Sequence, residues 1–114
     1  MRPLMLGVLL AFLPAERTAD ASYCYRGFVT GYVRTEHSSH TFDGTYIATP
    51  EPIAAAGWDI PIDSVVEIAD VGSFRVADRG RLANGQIDVA VWTRSEAYML
   101  TGFREVCITP PGGG

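Results

Sequence analysis

The 114-residue chain has no run of basic side chains, no apolar stretch long enough to cross a bilayer, and only two cysteines. Each shortage excludes something. With 13 acidic against 9 basic residues the net charge is −4, and no basic cluster is present to neutralise a phosphate backbone, so nucleic acid is not expected as a partner. The N-terminal apolar run, residues 3–13, falls short of the roughly 20 residues that a membrane-spanning helix needs. There is no P-loop, no dinucleotide-binding glycine fingerprint, no nucleophile elbow and no CxxC pair, so no cofactor is implied. His37 and His40, with Glu36 and Asp43 nearby, lie in a polar loop rather than on a preorganised helix. They read as a solvated loop, and no metal is expected.

What is present begins with MRPLMLGVLLAFL, an early arginine followed by an uncharged apolar run that suits a secretory signal. Ala19-Asp20-Ala21 supplies the small-x-small pattern of a cleavage site, so residues 1–21 are expected to be removed. A buried N-terminal helix is the plainer alternative. Arg2 and Arg17 offset Glu16 and Asp20, so the remaining chain keeps its acidic balance and forms one small domain. Extracytoplasmic localisation, without stable membrane insertion after processing, follows from that signal. Cys24 and Cys107 stand near the two ends of the domain, and an oxidising compartment favours a disulfide between them over two buried thiols.

Tyr23 to Arg34 is aromatic and β-branched and reads as a strand, broken or bulged at Gly27 and Gly31. Residues 35–44 form a polar loop, expected to rim a groove, and a short strand over 45–49 runs into Pro50 and Pro52. Residues 53–57 fit either a short strand or a helical turn. Period-2 runs at 64–69 and 73–77 flank Asp70-Val71-Gly72 as a hairpin with a positive-φ glycine. Ile87, Val89 and Val91 share one strand face, and Asp88, Ala90 and Trp92 the other. Thr93-Arg94-Ser95-Glu96 is a capping box opening a short helix that stops at Gly102. A last strand covers 104–109, and 110–114 is a frayed, disordered tail. Many short strands, one short helix and Gly-rich turns predict an all-β fold, a small β-barrel over 22–109.

The segment VADRGRLANGQIDVAVWT carries the chemistry. Asp78 closes one apolar run and Asp88 opens the next, with Gly80 and Gly85 between them. Asp78-Arg79-Gly80 followed by Asn84-Gly85-Gln86-Ile87-Asp88-Val89 resembles the signature of the three-aspartate (3D) domain family, and Ile60-Pro61 precedes the hairpin as in that family. The resemblance implies a six-stranded double-psi β-barrel, related to the barrel of membrane-bound lytic transglycosylases. The chain departs from the pattern in three places. The loop between the aspartates is one residue shorter, Arg81 replaces the second glycine, and Ala56 stands where the family has its first aspartate. Asp59 and Asp63 are the carboxylates that could substitute in space.

The resemblance implies cleavage of peptidoglycan glycosidic bonds, with peptidoglycan or another cell-wall polysaccharide as partner. Asp88 would be the general acid/base and Asp78 a second catalytic carboxylate that sets its pKa or orients substrate. A proton donor must hold its proton near working pH, which apolar walls and a neighbouring carboxylate both promote. Arg79, Gly80 and Trp92 are the expected substrate-binding residues, Trp92 being preferred to Trp58 because it shares the Asp88 face. Simpler roles exist for each aspartate. Asp78 would be a turn residue accepting backbone N–H groups, and Asp88 a strand-end carboxylate paired with Arg75, Arg79 or Arg81. The competing function is a non-catalytic polysaccharide-binding module; a purely structural secreted domain would leave the two aspartates unexplained.

Overall fold

A computed structural model describes residues 22–112, so the expected signal segment and residues 113–114 of the tail lie outside the described residues. Six strands form a closed barrel: β1 (Tyr23–Val33), β2 (Ile53–Ala56), β3 (Val65–Ile68), β4 (Gly72–Arg79), β5 (Ile87–Val91) and β6 (Gly102–Thr109). One helix, α1 (Arg94–Leu100), lies between β5 and β6. The fold is the small all-β barrel expected from the strand pattern. Around the barrel the order is β1-β5-β2-β4-β3-β6. The pairs β1–β5 and β2–β4 are parallel, and the other four are antiparallel.

Every strand turns alternate side chains inward. Val29, Val33, Ala54, Ala56, Val66, Ile68, Val76, Ile87, Val89, Val91, Val106 and Ile108 fill the interior. Removing each such Val or Ile from water contributes roughly 1.5–3 kcal/mol before entropy is charged against it. Complete closure also leaves no strand edge unpaired. A smaller apolar cluster, including Tyr32, Ile47, Ile53, Ala55, Ala77 and Ala90, forms on the opposite face of β1, β2, β4 and β5.

Several local expectations change. β1 runs unbroken through Gly27 and Gly31, because both glycines keep their ladder partners and serve close packing instead. A Cβ on Gly31 would lie 2.9 Å from the Ala97 Cα, so the missing side chain is what seats α1 against β1. Residues 45–49 make no strand; only an isolated bridge pairs His40 with Tyr46. Residues 53–56 resolve as strand β2, buried on both faces. The β3–β4 hairpin turns through Asp70 at φ 66° and Gly72 at φ 143°. The Thr93 cap forms as predicted: its hydroxyl accepts from the Glu96 N–H at 3.1 Å, while Glu96 accepts from the Thr93 N–H at 3.0 Å.

Cys24 and Cys107 face each other in the antiparallel β1–β6 ladder and form a disulfide. Among the described residues no helix is long and apolar enough to cross a membrane.

Two arginines fasten the long β1–β2 connection to the barrel. Buried Arg34 donates to the carbonyls of Ile47 at 3.1 Å, Thr49 at 2.5 Å and Glu51 at 2.7 Å. Arg75 pairs with Asp43 and Glu51, each at 2.7 Å, and with Asp63 at 2.9 Å. Asp43 responds to this setting. Burial alone would raise its pKa, but hydrogen bonds from Thr45, Arg75 and Thr41 outweigh it and hold the carboxyl well below the usual range.

Candidate active site

The two aspartates are not on adjacent strands. β4 and β5 follow one another in sequence, yet β2 lies between them in the barrel. What brings the carboxylates together is register. Thr30 of β1 pairs with Asp88 of β5, Asp88 with Ala55 of β2, and Ala55 with Asp78 of β4. The site is therefore a row across four strands, Thr30–Asp88–Ala55–Asp78. Strict alternation after inward-facing Val76 would send Ala77 outward and Asp78 inward. A bulge between Ala54 and Ala55 in the β2–β4 pairing lets β4 spend one extra residue, so that Asp78 stands opposite Ala55. Bulges re-aim side chains in this way.

Around this row lies a pocket of about 260 Å³ lined by Tyr32, His37, Ala55, Asp78, Gly80 and Asp88, with Ser38, Arg79 and Leu82 completing the wall. Ala55 is the smallest side chain in the row and leaves open space between the acids. Asp88 is half-buried and accepts from the Thr30 hydroxyl at 2.8 Å through Oδ1. Asp78 accepts through its own Oδ1 from the N–H groups of Phe42 and Arg79, both at 2.9 Å. Among the described residues neither Oδ2 accepts a hydrogen bond from the protein, so each carboxyl keeps one oxygen for a ligand. Burial pushes the pKa of Asp88 up, and the negative charge of Asp78 adds to this. The Thr30 hydroxyl and the nearby His37 act in the other direction without reversing it.

Asp78 thus fulfils the simple turn role and also faces the pocket. Asp88 forms no ion pair with Arg75, Arg79 or Arg81; its partner is Thr30. Arg79 and Gly80 line the pocket, but the Arg79 guanidinium points away from the acids. It donates to the carbonyls of Gly57 and Ile60 and stacks over the Trp58 ring at 4.8 Å. Trp92 follows the end of β5 and does not line this pocket; the Arg34 guanidinium lies over its ring at 4.9 Å. Asp59 and Asp63 do not fill the place of the missing family aspartate. Asp59 accepts from the Gly85 N–H at 2.9 Å, Asp63 is held by Arg75, and Ala56 faces the barrel interior.

Two pocket residues were not singled out from the sequence. Tyr32 is 9 % exposed and its hydroxyl has no partner among the described residues. Burial raises its pKa, and the charges of Asp78 and Asp88 raise it further, so it remains a neutral hydrogen-bond donor. The edge of the His37 ring meets Tyr32 at a centroid distance of 5.2 Å, placing His37 at the pocket rim. The loop that reads as solvated thus contributes to the site. This agrees with the expectation that residues 35–44 rim a groove; that His37 and Ser38 are the ones reaching it depends on how the β1–β2 connection folds back. For Tyr32 the available clue is its outward alternation with Thr30 along β1.

Among the described residues the one cluster with metal-ligating side chains is Cys24, Cys107 and Glu105, and its sulfurs are joined in the disulfide. Compared with known proteins, the chain matches no family model and no curated protein.

Proposed function

We propose that this protein is a secreted, cell-envelope glycan-active barrel that cleaves peptidoglycan glycosidic bonds in the manner of a lytic transglycosylase. The observation that carries the proposal is the shared register of Asp78 and Asp88 with Ala55, which sets two carboxyls around one open pocket. The raised pKa of Asp88 supports its role as the acid. The motif resemblance to the 3D family supports the substrate class, and the disulfide fits an oxidising, extracytoplasmic compartment.

In this scheme the protonated Asp88 carboxyl gives its proton to the glycosidic oxygen as the bond from that oxygen to C1 breaks. Positive charge develops at C1, beside the Asp78 carboxylate. The C6 hydroxyl of the same sugar then attacks C1, and its proton returns to Asp88. A 1,6-anhydro sugar and a free hydroxyl result, with no water consumed. One carboxyl serves both steps, so a missing third aspartate does not stop the chemistry. Tyr32 supplies a neutral donor to a sugar oxygen inside the pocket.

The second reading is a non-catalytic polysaccharide-binding module, favoured by Ala56 at the position of the family's first aspartate. Digestion of purified peptidoglycan with mass spectrometry of the products separates the two. Anhydro-muramyl ends are expected from the enzyme; binding without any such product, at every pH tried, would establish the module instead.

A further inference from the structure

The geometry points to a second carbohydrate subsite beside the aspartate pocket, a stacking platform made by Trp58 and Phe42; this inference rests on the glycan reading above and extends it. Trp58 is 73 % exposed and Phe42 58 % exposed, and their rings meet edge to face at 5.5 Å. Exposed aromatic side chains of this size are usually left free to move, but the Trp58 ring carries the Arg79 guanidinium and stands on a hydrogen-bonded turn. The Arg79 guanidinium covers one part of its ring and donates to the carbonyls of Gly57 and Ile60, immediately around it. A turn closes Ile60 N–H onto Gly57 O at 3.3 Å, and Asp59 accepts from the Gly85 N–H at 2.9 Å. Such anchoring removes in advance the conformational entropy that a ligand would otherwise have to take from the ring.

The platform is continuous with the pocket. Phe42 gives its backbone N–H to Asp78, and Arg79 both lines the pocket and stacks on Trp58. An occupant must therefore offer flat apolar faces to the rings and hydroxyl or amide groups to the polar atoms between them. A sugar ring does both. A purely apolar partner would leave the free oxygen of Asp78 in the pocket without a donor. The ligand class is a β-linked N-acetylhexosamine chain with one ring at the aspartates and a following ring on Trp58. Arg79 is then a positioning residue for the platform.

The test uses the full chain carrying Asp88→Asn, so that no probe is consumed, with a soluble β-1,4-linked N-acetylglucosamine hexamer as probe. Indole N–H resonances of Trp58 and Trp92 are told apart by a Trp92→Phe variant. The hexamer should shift the Trp58 indole and leave that of Trp92 in place. Trp58→Ala should weaken hexamer affinity about tenfold, the scale of one aromatic stacking contact, and Trp58→Tyr should restore most of it. Hexamer binding with an unmoved Trp58 signal and unchanged Trp58→Ala affinity would overturn the platform and leave the glycan reading standing. No hexamer binding at all would overturn both. Self-association lost in Trp58→Ala, with glycan affinity unaltered, would assign the rings to a second copy of the chain and overturn the subsite.

Discussion

Asp78 and Asp88 are cross-strand partners of the same residue, Ala55, one through a parallel pairing and the other through an antiparallel one. This places an acid on each side of a methyl group, on a rigid sheet rather than on loops. Their ladder pairing with a common partner fixes them better than the flexible turn between them could.

If Asp88 donates the proton, Asp88→Asn should lower peptidoglycan cleavage by about 10²–10⁴-fold while the fold survives, since the amide is nearly isosteric. Asp78→Asn should cost less and shift the pH optimum downward, because loss of a neighbouring negative charge lowers the pKa of Asp88. Product release followed across pH for the three proteins checks both; equal activity in wild type and Asp88→Asn removes the residue from the mechanism.

The same carboxyl has a stability signature. Its folded pKa is raised above the ordinary 3.8, so its favourable contribution is present below that value and lost as pH rises through the folded pKa. At neutral pH Asp88 is a liability. Asp88→Asn should therefore raise Tm by a few degrees at pH 7, and this gain should vanish in acid below about pH 4. Thermal melts at both pH values decide it; a variant less stable than wild type at neutral pH contradicts it.

Ala55→Leu should fill the space between the acids while leaving both carboxyls in the chain. Cleavage is expected to fall about 10²-fold through misplacement of the sugar, with Asp78 and Asp88 still in place. Unchanged kcat/KM would mean that substrate does not enter between them.

Arg75 joins the β1–β2 connection to β4 through Asp43 and Glu51. Arg75→Met should cost about 2 kcal/mol, because it strands partly buried carboxylates. The folded pKa of Asp43 is depressed, so its stabilisation is full above the unfolded value of 3.8 and lost as pH falls through the folded value. Wild type should lose stability on acidification, and the variant should lose less. Denaturant unfolding at neutral and acidic pH measures the difference.

The Cys24–Cys107 bridge closes a separation of 83 residues. Replacing both cysteines by serine should lower stability by roughly 3–5 kcal/mol in the chain-entropy account. Thiol labelling of the unfolded, unreduced protein should find no free cysteine, and two labelled sites would show that the bridge does not form.

The sequence by itself determined the strands that alternate, the capped helix and the pairing of the terminal cysteines. These depend on local patterning, or on there being only two sulfurs. It determined Asp88 as well, because alternation from Ile87 and Val89 places it on the outer face without reference to any other strand. Asp78 needed the tertiary structure: its orientation depends on a bulge opposite Ala55, and a bulge is a property of two paired strands. The order of strands was equally hidden, since β4 and β5 are joined by a short loop yet separated in space by β2. Alternation favours Trp92 over Trp58 as a binding residue, yet Trp92 does not line the aspartate pocket. Each ring carries an arginine, Arg34 on Trp92 and Arg79 on Trp58. Only the fold joins Trp58 to the acids through Phe42 and Arg79, because these contacts link residues far apart in the chain.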